Sequence, residues 1–267
     1  MLLAEAFCLQ PAEVLACVGA GGKTTTCWRL LAGRYAGKRP SIVTTTTHIL
    51  EPILPPGTAL LLSPEPDPKR IRQIMSEVSG LALAASRLTG APIEVAPNPV
   101  APARPYKLAG LRPEHIDRLA GELPGIAWLV EADGARGRGV KLPAAHEPVI
   151  PKCASSVAVL THLDTIGHPL DETIAHRPER LAEYWQMRIG DRISAGHIAR
   201  LMTDPAGGLK GIPAGARAIA LLNQRDEARL HPQAQSIAAA LLASGRYERV
   251  IVASLRAEHP VLAVLAA

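Results

Sequence analysis

Short apolar runs, each stopped by glycine or a polar residue, constrain the fold of this chain more than any other feature. They read "AEVLACV" at 12–18, "GIAWLVEAD" at 125–133, "SSVAVLTH" at 155–162, "ARAIALLN" at 216–223 and "ERVIVASL" at 248–255. Runs this short and this continuous suit strands buried on both faces. "SIVTTTT" at 41–47 adds a β-branched strand. Helix-like segments fall at 24–33, 68–78, 112–121, 178–187, 194–202 and 231–244. Strand–helix alternation of this kind predicts an α/β fold, a three-layer α/β/α sandwich with a mostly parallel sheet.

The organisation expected is a single nucleotide-binding α/β domain over 1–267, with a Pro-rich insertion around 51–110. Within it, "EPILPPGTALLLSPEPDPK" holds no single continuous element, because each proline removes a backbone donor and restricts the residue before it. "APIEVAPNPVAPARPYKLAG", at 91–110, reads as a surface excursion.

With 48% apolar residues but only one Phe, three Trp and four Tyr, the core must be built from Val, Ile, Leu and Ala. The net charge of +5 is spread along the chain without aromatic-and-basic stacking patterns, so it implies a basic surface around an anion site and no nucleic-acid partner. Cys8, Cys17, Cys27 and Cys153 form no CxxC pair, as expected of free thiols in a reducing compartment. The first 22 residues carry no basic side chain and no apolar run of about 18 residues. The expectation is a cytoplasmic protein with no membrane partner.

The first apolar run delivers the chain into "CVGAGGKTTT" at 17–26. The Walker A pattern G-x-x-x-x-G-K-[ST] would place its first glycine at position 17, where Cys17 stands. Gly19, Ala20, Gly21 and Gly22 instead lead to Lys23, Thr24 and Thr25 by a shorter spacing. The physical needs of a phosphate cradle are still met: glycines that let N–H groups approach an anion, then a helix N-terminus. Lys23 can reach the β- and γ-phosphates and the Thr24 hydroxyl can meet Mg²⁺.

Acidic and amide residues at other strand ends complete the pattern. "LVEADGARG" supplies Glu131 and Asp133 for a metal or a water, with Arg136 following to meet phosphate charge. The "TTTTH" stretch offers Thr45, Thr46 or Thr47, of which Thr46 is the metal candidate beside Thr24 and Asp133; strand propensity alone accounts for it equally well. "LLNQRDE" places Asn223 and Asp226 as N-x-x-D after a strand, similar to the N-K-x-D guanine motif, with Gln224 in place of lysine. A carboxylate suits the paired donors of guanine, and the competing reading is a polar helix cap. The catalytic candidates are therefore Lys23, Glu131, Asp133 and Arg136, and His162, His168 and His176 have no zinc-like spacing.

In order along the chain, "VGAGGKTT", "VTTTTHI", "LVEADGARG", "HEPVIP", "HRPE", "GGLKG" and "LLN" resemble the YqeC family, described as accessory to selenium-dependent molybdenum hydroxylases. The resemblance implies a P-loop NTPase-like protein using Mg²⁺ with ATP or GTP. Its partners would be a client molybdenum hydroxylase or a cofactor-maturation protein, with a molybdopterin nucleotide as a further ligand. Two other functions fit the residues: a ligase resembling the Mur enzymes, whose loops read G-T-x-G-K-T, and a non-catalytic nucleotide-controlled switch or scaffold.

Overall fold

A computed structural model describes residues 1–36, 39–90, 100 and 102–266. A short helix α1 (Leu3–Ala6) precedes strand β1 (Val14–Gly19), helix α2 (Lys23–Ala36) and strand β2 (Ser41–Thr45). Next come β3 (His48–Pro52), β4 (Thr58–Leu62), α3 (Pro68–Glu77), β5 (Gly80–Ala84), β6 (Ser86–Arg87) and β7 (Ala103–Ala109). The middle of the chain forms α4 (Pro113–Glu122), β8 (Ala127–Glu131), β9 (Val140–Lys141), β10 (Ser156–His162) and β11 (Ala175–His176). It closes with α5 (Pro178–Trp185), α6 (Ala195–Thr203), β12 (Arg217–Asn223), α7 (Ala234–Ala243), β13 (Arg249–Ala253) and β14 (Val261–Ala266).

Nine strands make the central sheet in the order β14-β13-β12-β10-β1-β8-β2-β5-β4. Every pairing in it is parallel except β13 with β14. Alternate side chains of a strand point to opposite faces, so β1 feeds two cores. Ala16 and Val18 pack with Ile71 of α3, Ile116 of α4, Leu181 of α5, Ile198 of α6 and Ile237 of α7. Leu15 and Cys17 pack on the other face with Leu3 of α1 and Cys27, Leu30 and Leu31 of α2. Helices therefore cover both faces, and each fully buried Leu or Ile stabilises the fold by about 2 kcal/mol. No helix among the described residues is long and apolar enough to cross a membrane.

Local sequence sets the helix ends. Asp67 caps α3 by accepting from the Lys69 N–H at 3.1 Å, with Pro68 in the first helical position. Ser194 and His197 exchange hydrogen bonds across the start of α6. β2 stops at Thr45, two residues short of the β-branched run, because the Thr45 hydroxyl accepts from the Thr47 N–H at 3.0 Å and bends the chain.

The stretch 51–110 is divided between two sheets. β4, α3 and β5 extend the central sheet, while β3, β7 and β6 form a separate antiparallel one. Pro55, Pro56, Pro64 and Pro66 lie in the connections, where no ladder donor is needed. Of the surface excursion expected over 91–110, residues 91–99 and 101 lie outside the described residues, and 103–109 is β7.

The sheet order positions the site. β1 lies between β10 and β8, so the chain leaves β8 and must pass the carboxyl end of β1 to reach β10. Residues 132–155 make that crossing and bring their charged side chains over the end of β1.

Candidate functional site

β1 ends at Gly19 with φ +87°, and Gly22, just before α2, has φ +133°. Side chains are excluded at both: a Cβ would lie 2.3 Å from the Leu160 carbonyl oxygen at Gly19 and 2.5 Å from Leu255 Cδ1 at Gly22. The loop is fixed from outside. The Ala20 N–H donates to Leu160 O at 2.9 Å, and Asn223 Nδ2 donates to Gly21 O at 2.8 Å. Asn223 Oδ1 accepts from the Leu255 N–H at 3.1 Å, tying the ends of β12 and β13 to the loop. Among the described residues the N–H groups of Gly21 and Gly22 have no acceptor, and the N-terminus of α2 follows directly at Lys23. The result is a concave set of donors at a helix N-terminus.

The charged groups beneath this loop are buried and hydrogen-bonded. Lys23 is 4% exposed, and its Nζ donates to Gly19 O at 2.6 Å. Burial lowers its pKa, against the opposing pull of Glu131 and Asp133. Thr24 Oγ1 donates to Glu131 Oε2 at 2.7 Å. Burial raises the Glu131 pKa, while Lys23 and the Thr24 hydroxyl counteract it. Asp133 accepts from the Gly19 N–H through Oδ2 at 3.1 Å and from Lys141 Nζ through Oδ1 at 2.5 Å.

Lys141 links this pair to a second set of residues. Its ammonium also donates to Gly134 O at 2.7 Å and Glu147 Oε2 at 2.8 Å, so all three protons are used. Arg177 Nη1 donates to the same Glu147 oxygen at 2.9 Å. Burial alone would raise the Glu147 pKa, but its bonds from Lys141, the Ala144 N–H and Arg177 bring it down to about 2. His176, paired with Lys141 across β9 and β11, is lowered to about 4 by burial and by the adjacent Arg177 and Lys141 charges.

The structure brings Gly19 to Thr24, Glu131, Asp133 and Asn223 together at the carboxyl ends of β1, β8 and β12. Ala20 is fully buried and Thr25 is 7% exposed on the first turn of α2. Thr46 lies at the rim with its hydroxyl donating to Val149 O at 2.7 Å and its N–H to Glu131 O at 3.1 Å. Arg136 is exposed in the 132–155 crossing, with φ +48°.

Asn223 and Asp226 part company. Asp226 is exposed and its Oδ1 accepts from the N–H groups of Ala228 and Arg229 at 2.8 and 3.2 Å, closing its own turn. Gln224 is buried and holds that turn from inside, donating to Asp226 O and Arg229 O and accepting from the His231 N–H. Lys141, Glu147 and Arg177 were absent from the expected site. Glu147 stands in "HEPVIP" and Arg177 in "HRPE", with Lys141 in neither, and these charges lie up to 44 residues from Asp133 and meet only through the fold.

Comparison with known proteins points to one family. The family described as YqeC protein matches residues 15–179, which run from β1 through the 132–155 crossing to the Arg177 segment. The uncharacterized protein YqeC of Escherichia coli (strain K12) is 28% identical over 211 residues, covering 79% of this chain and 75% of that protein. No solved structure matches. With more than half of its length matched, the loop and the Asp133–Lys141–Glu147 network included, this chain belongs to the YqeC family.

Proposed function

We propose that this protein binds a Mg²⁺·nucleoside triphosphate, ATP or GTP, across Gly19–Thr24 in a P-loop NTPase-like arrangement and hydrolyses it. The observation that carries this reading is Lys23, buried at the N-terminus of α2 with its ammonium turned onto Gly19 O at 2.6 Å. A buried ammonium beside open N–H donors is poised for a polyanion, whose phosphates would replace that carbonyl as its partner.

The Thr24 hydroxyl and the Glu131 carboxylate, 2.7 Å apart, are the oxygen donors that would hold Mg²⁺. When bound, the ion would neutralise charge on the β- and γ-phosphates. Asp133 supports the loop through the Gly19 N–H and is already paired with Lys141. Glu131 would meet the ion directly or through a water that it orients toward the γ-phosphate. The role as a cytoplasmic accessory of molybdenum-hydroxylase maturation, with a molybdopterin nucleotide as a further ligand, rests on the family resemblance.

Isothermal titration of wild type and Lys23→Ala with Mg·ATP and Mg·GTP tests the site. Loss of a charge-assisted contact to phosphate should weaken binding by about tenfold or more. Equal affinity in the two proteins overturns the assignment. A thermal-shift panel adding CTP and a molybdopterin nucleotide then separates fuel from cofactor, since only a bound ligand raises the midpoint.

A further inference from the structure

The loop is underlain by a pair of thiols that the nucleotide reading does not use. Cys17, in β1 two residues before Gly19, and Cys27, one turn after Lys23 in α2, are 0% and 1% exposed. The Cys27 thiol donates to Cys17 Sγ at 3.8 Å. Cys17 holds the position at which a Walker A loop has its first glycine. Both sulfurs lie in the core between the sheet and α2, with Leu15 and Trp28. Cys8 and Cys153 lie apart from them, one exposed and the other half-buried.

We propose that Cys17 and Cys27 form a reversible disulfide that disables the phosphate loop, with a peroxide as the oxidant. One thiolate sulfur attacks hydrogen peroxide, the O–O bond breaks, and a sulfenic acid and hydroxide form. The second sulfur displaces the sulfenic oxygen, so that two thiols and one peroxide give one disulfide and two waters. A thiol reductant reverses the step by exchange.

The consequence follows from distance. A disulfide requires the sulfurs about 2.05 Å apart, which draws the first turns of α2 toward β1. The loop between them is tied from outside, the Ala20 N–H donating to Leu160 O at 2.9 Å and Asn223 Nδ2 donating to Gly21 O at 2.8 Å. Its N–H groups and Lys23 are then displaced from one another. The bond to Cys17, and then burial, push the Cys27 thiol pKa well up. Oxidation therefore proceeds when the N-terminal turn of α2 opens, and a bound triphosphate, which holds that turn closed, slows it. The loss of binding and this coupling, unlike disulfide formation itself, rest on the nucleotide reading above.

The test uses the full chain carrying Cys8→Ser and Cys153→Ser, so that only the pair remains. Trypsin cleaves after Lys23 and places Cys17 and Cys27 on different peptides. After hydrogen peroxide treatment of the folded protein, mass spectrometry should find these peptides joined, and a dithiol reductant should separate them. Recovery of both as separately alkylated or over-oxidised peptides overturns the proposal. Oxidised protein should bind Mg·ATP or Mg·GTP about tenfold more weakly, with affinity restored by reduction. Cys27→Ser, checked for folding by circular dichroism, should bind equally well before and after peroxide. A joined peptide with unchanged nucleotide affinity overturns the switch. If neither nucleotide binds even the reduced protein while the disulfide still forms, the nucleotide reading fails and the disulfide stands.

Discussion

Lys141 has no side-chain exposure and holds two carboxylates, Asp133 and Glu147, on one ammonium. Its three protons are consumed, and Arg177 provides further positive charge at Glu147. Such a network gives a specific acid response. Folded His176 titrates near 4 against an ordinary 6.5, so the unfolded chain binds the extra proton first. Stability from keeping His176 neutral is present above about pH 6.5 and is lost as pH falls from there toward 4. Glu147, held near 2 against an ordinary 4.5, loses its contribution only as pH falls below 4.5 toward 2. Thermal midpoints across pH 7 to 3 should therefore fall in two stages. His176→Gln should flatten the upper stage and leave the lower, and an unchanged upper stage in that variant would show that His176 is not held neutral. These residues were hard to find in the sequence for a physical reason. A glycine loop announces itself by local backbone demands, whereas Lys141, Glu147 and Arg177 form a unit only when β9, β11 and the 132–155 crossing pack together.

At the scale of elements, β1 and α2 behave as their sequence dictates. The apolar run forms the strand, the glycines turn, and Lys23 begins the helix. The same holds for β8, β10, β12 and β13, whose Val- and Ile-containing runs fit strands buried on both faces. β4 and β5 were hidden because "TALLL" and "GLALA" are rich in Leu and Ala, residues with helical preference, and the first follows two prolines. Parallel pairing of β5 between β2 and β4 overrides that preference by burying all five β5 residues. The turn after β1 is the least tolerant connection. Gly19 combines φ +87° with a backbone oxygen 2.3 Å from any Cβ, whereas Gly125 has φ +88° and open space around it. Gly125→Ala should cost only the left-handed penalty, about 1–2 kcal/mol. Gly19→Ala should cost about 3 kcal/mol or more, because the clash with Leu160 O adds an overpacking term. Urea denaturation of the two variants measures the difference; equal losses would mean that the β1 turn relaxes freely.

For the whole molecule, the sheet order makes one location special. The first half of the chain builds outward from β1 through β2 to β4 at the edge, then returns through β5 to β8, which pairs with β1. The chain then crosses to β10 and builds outward the other way through β12 and β13. In open parallel sheets, loops diverge where the direction of building reverses, leaving a crevice at the carboxyl ends of the strands. Here that reversal falls at β1 and its neighbours, where Gly19, Glu131, Asp133 and Asn223 converge. Hydrogen–deuterium exchange gives this topology a direct test. Saturating Mg·ATP or Mg·GTP should slow exchange in peptides spanning 19–26, 131–141 and the end of β12, which share the crevice. Strands β4 and β14, at opposite edges of the sheet, should exchange at unchanged rates because no loop joins them to β1. Protection confined to either edge would place the ligand away from the reversal point and separate the phosphate-loop geometry from the binding function.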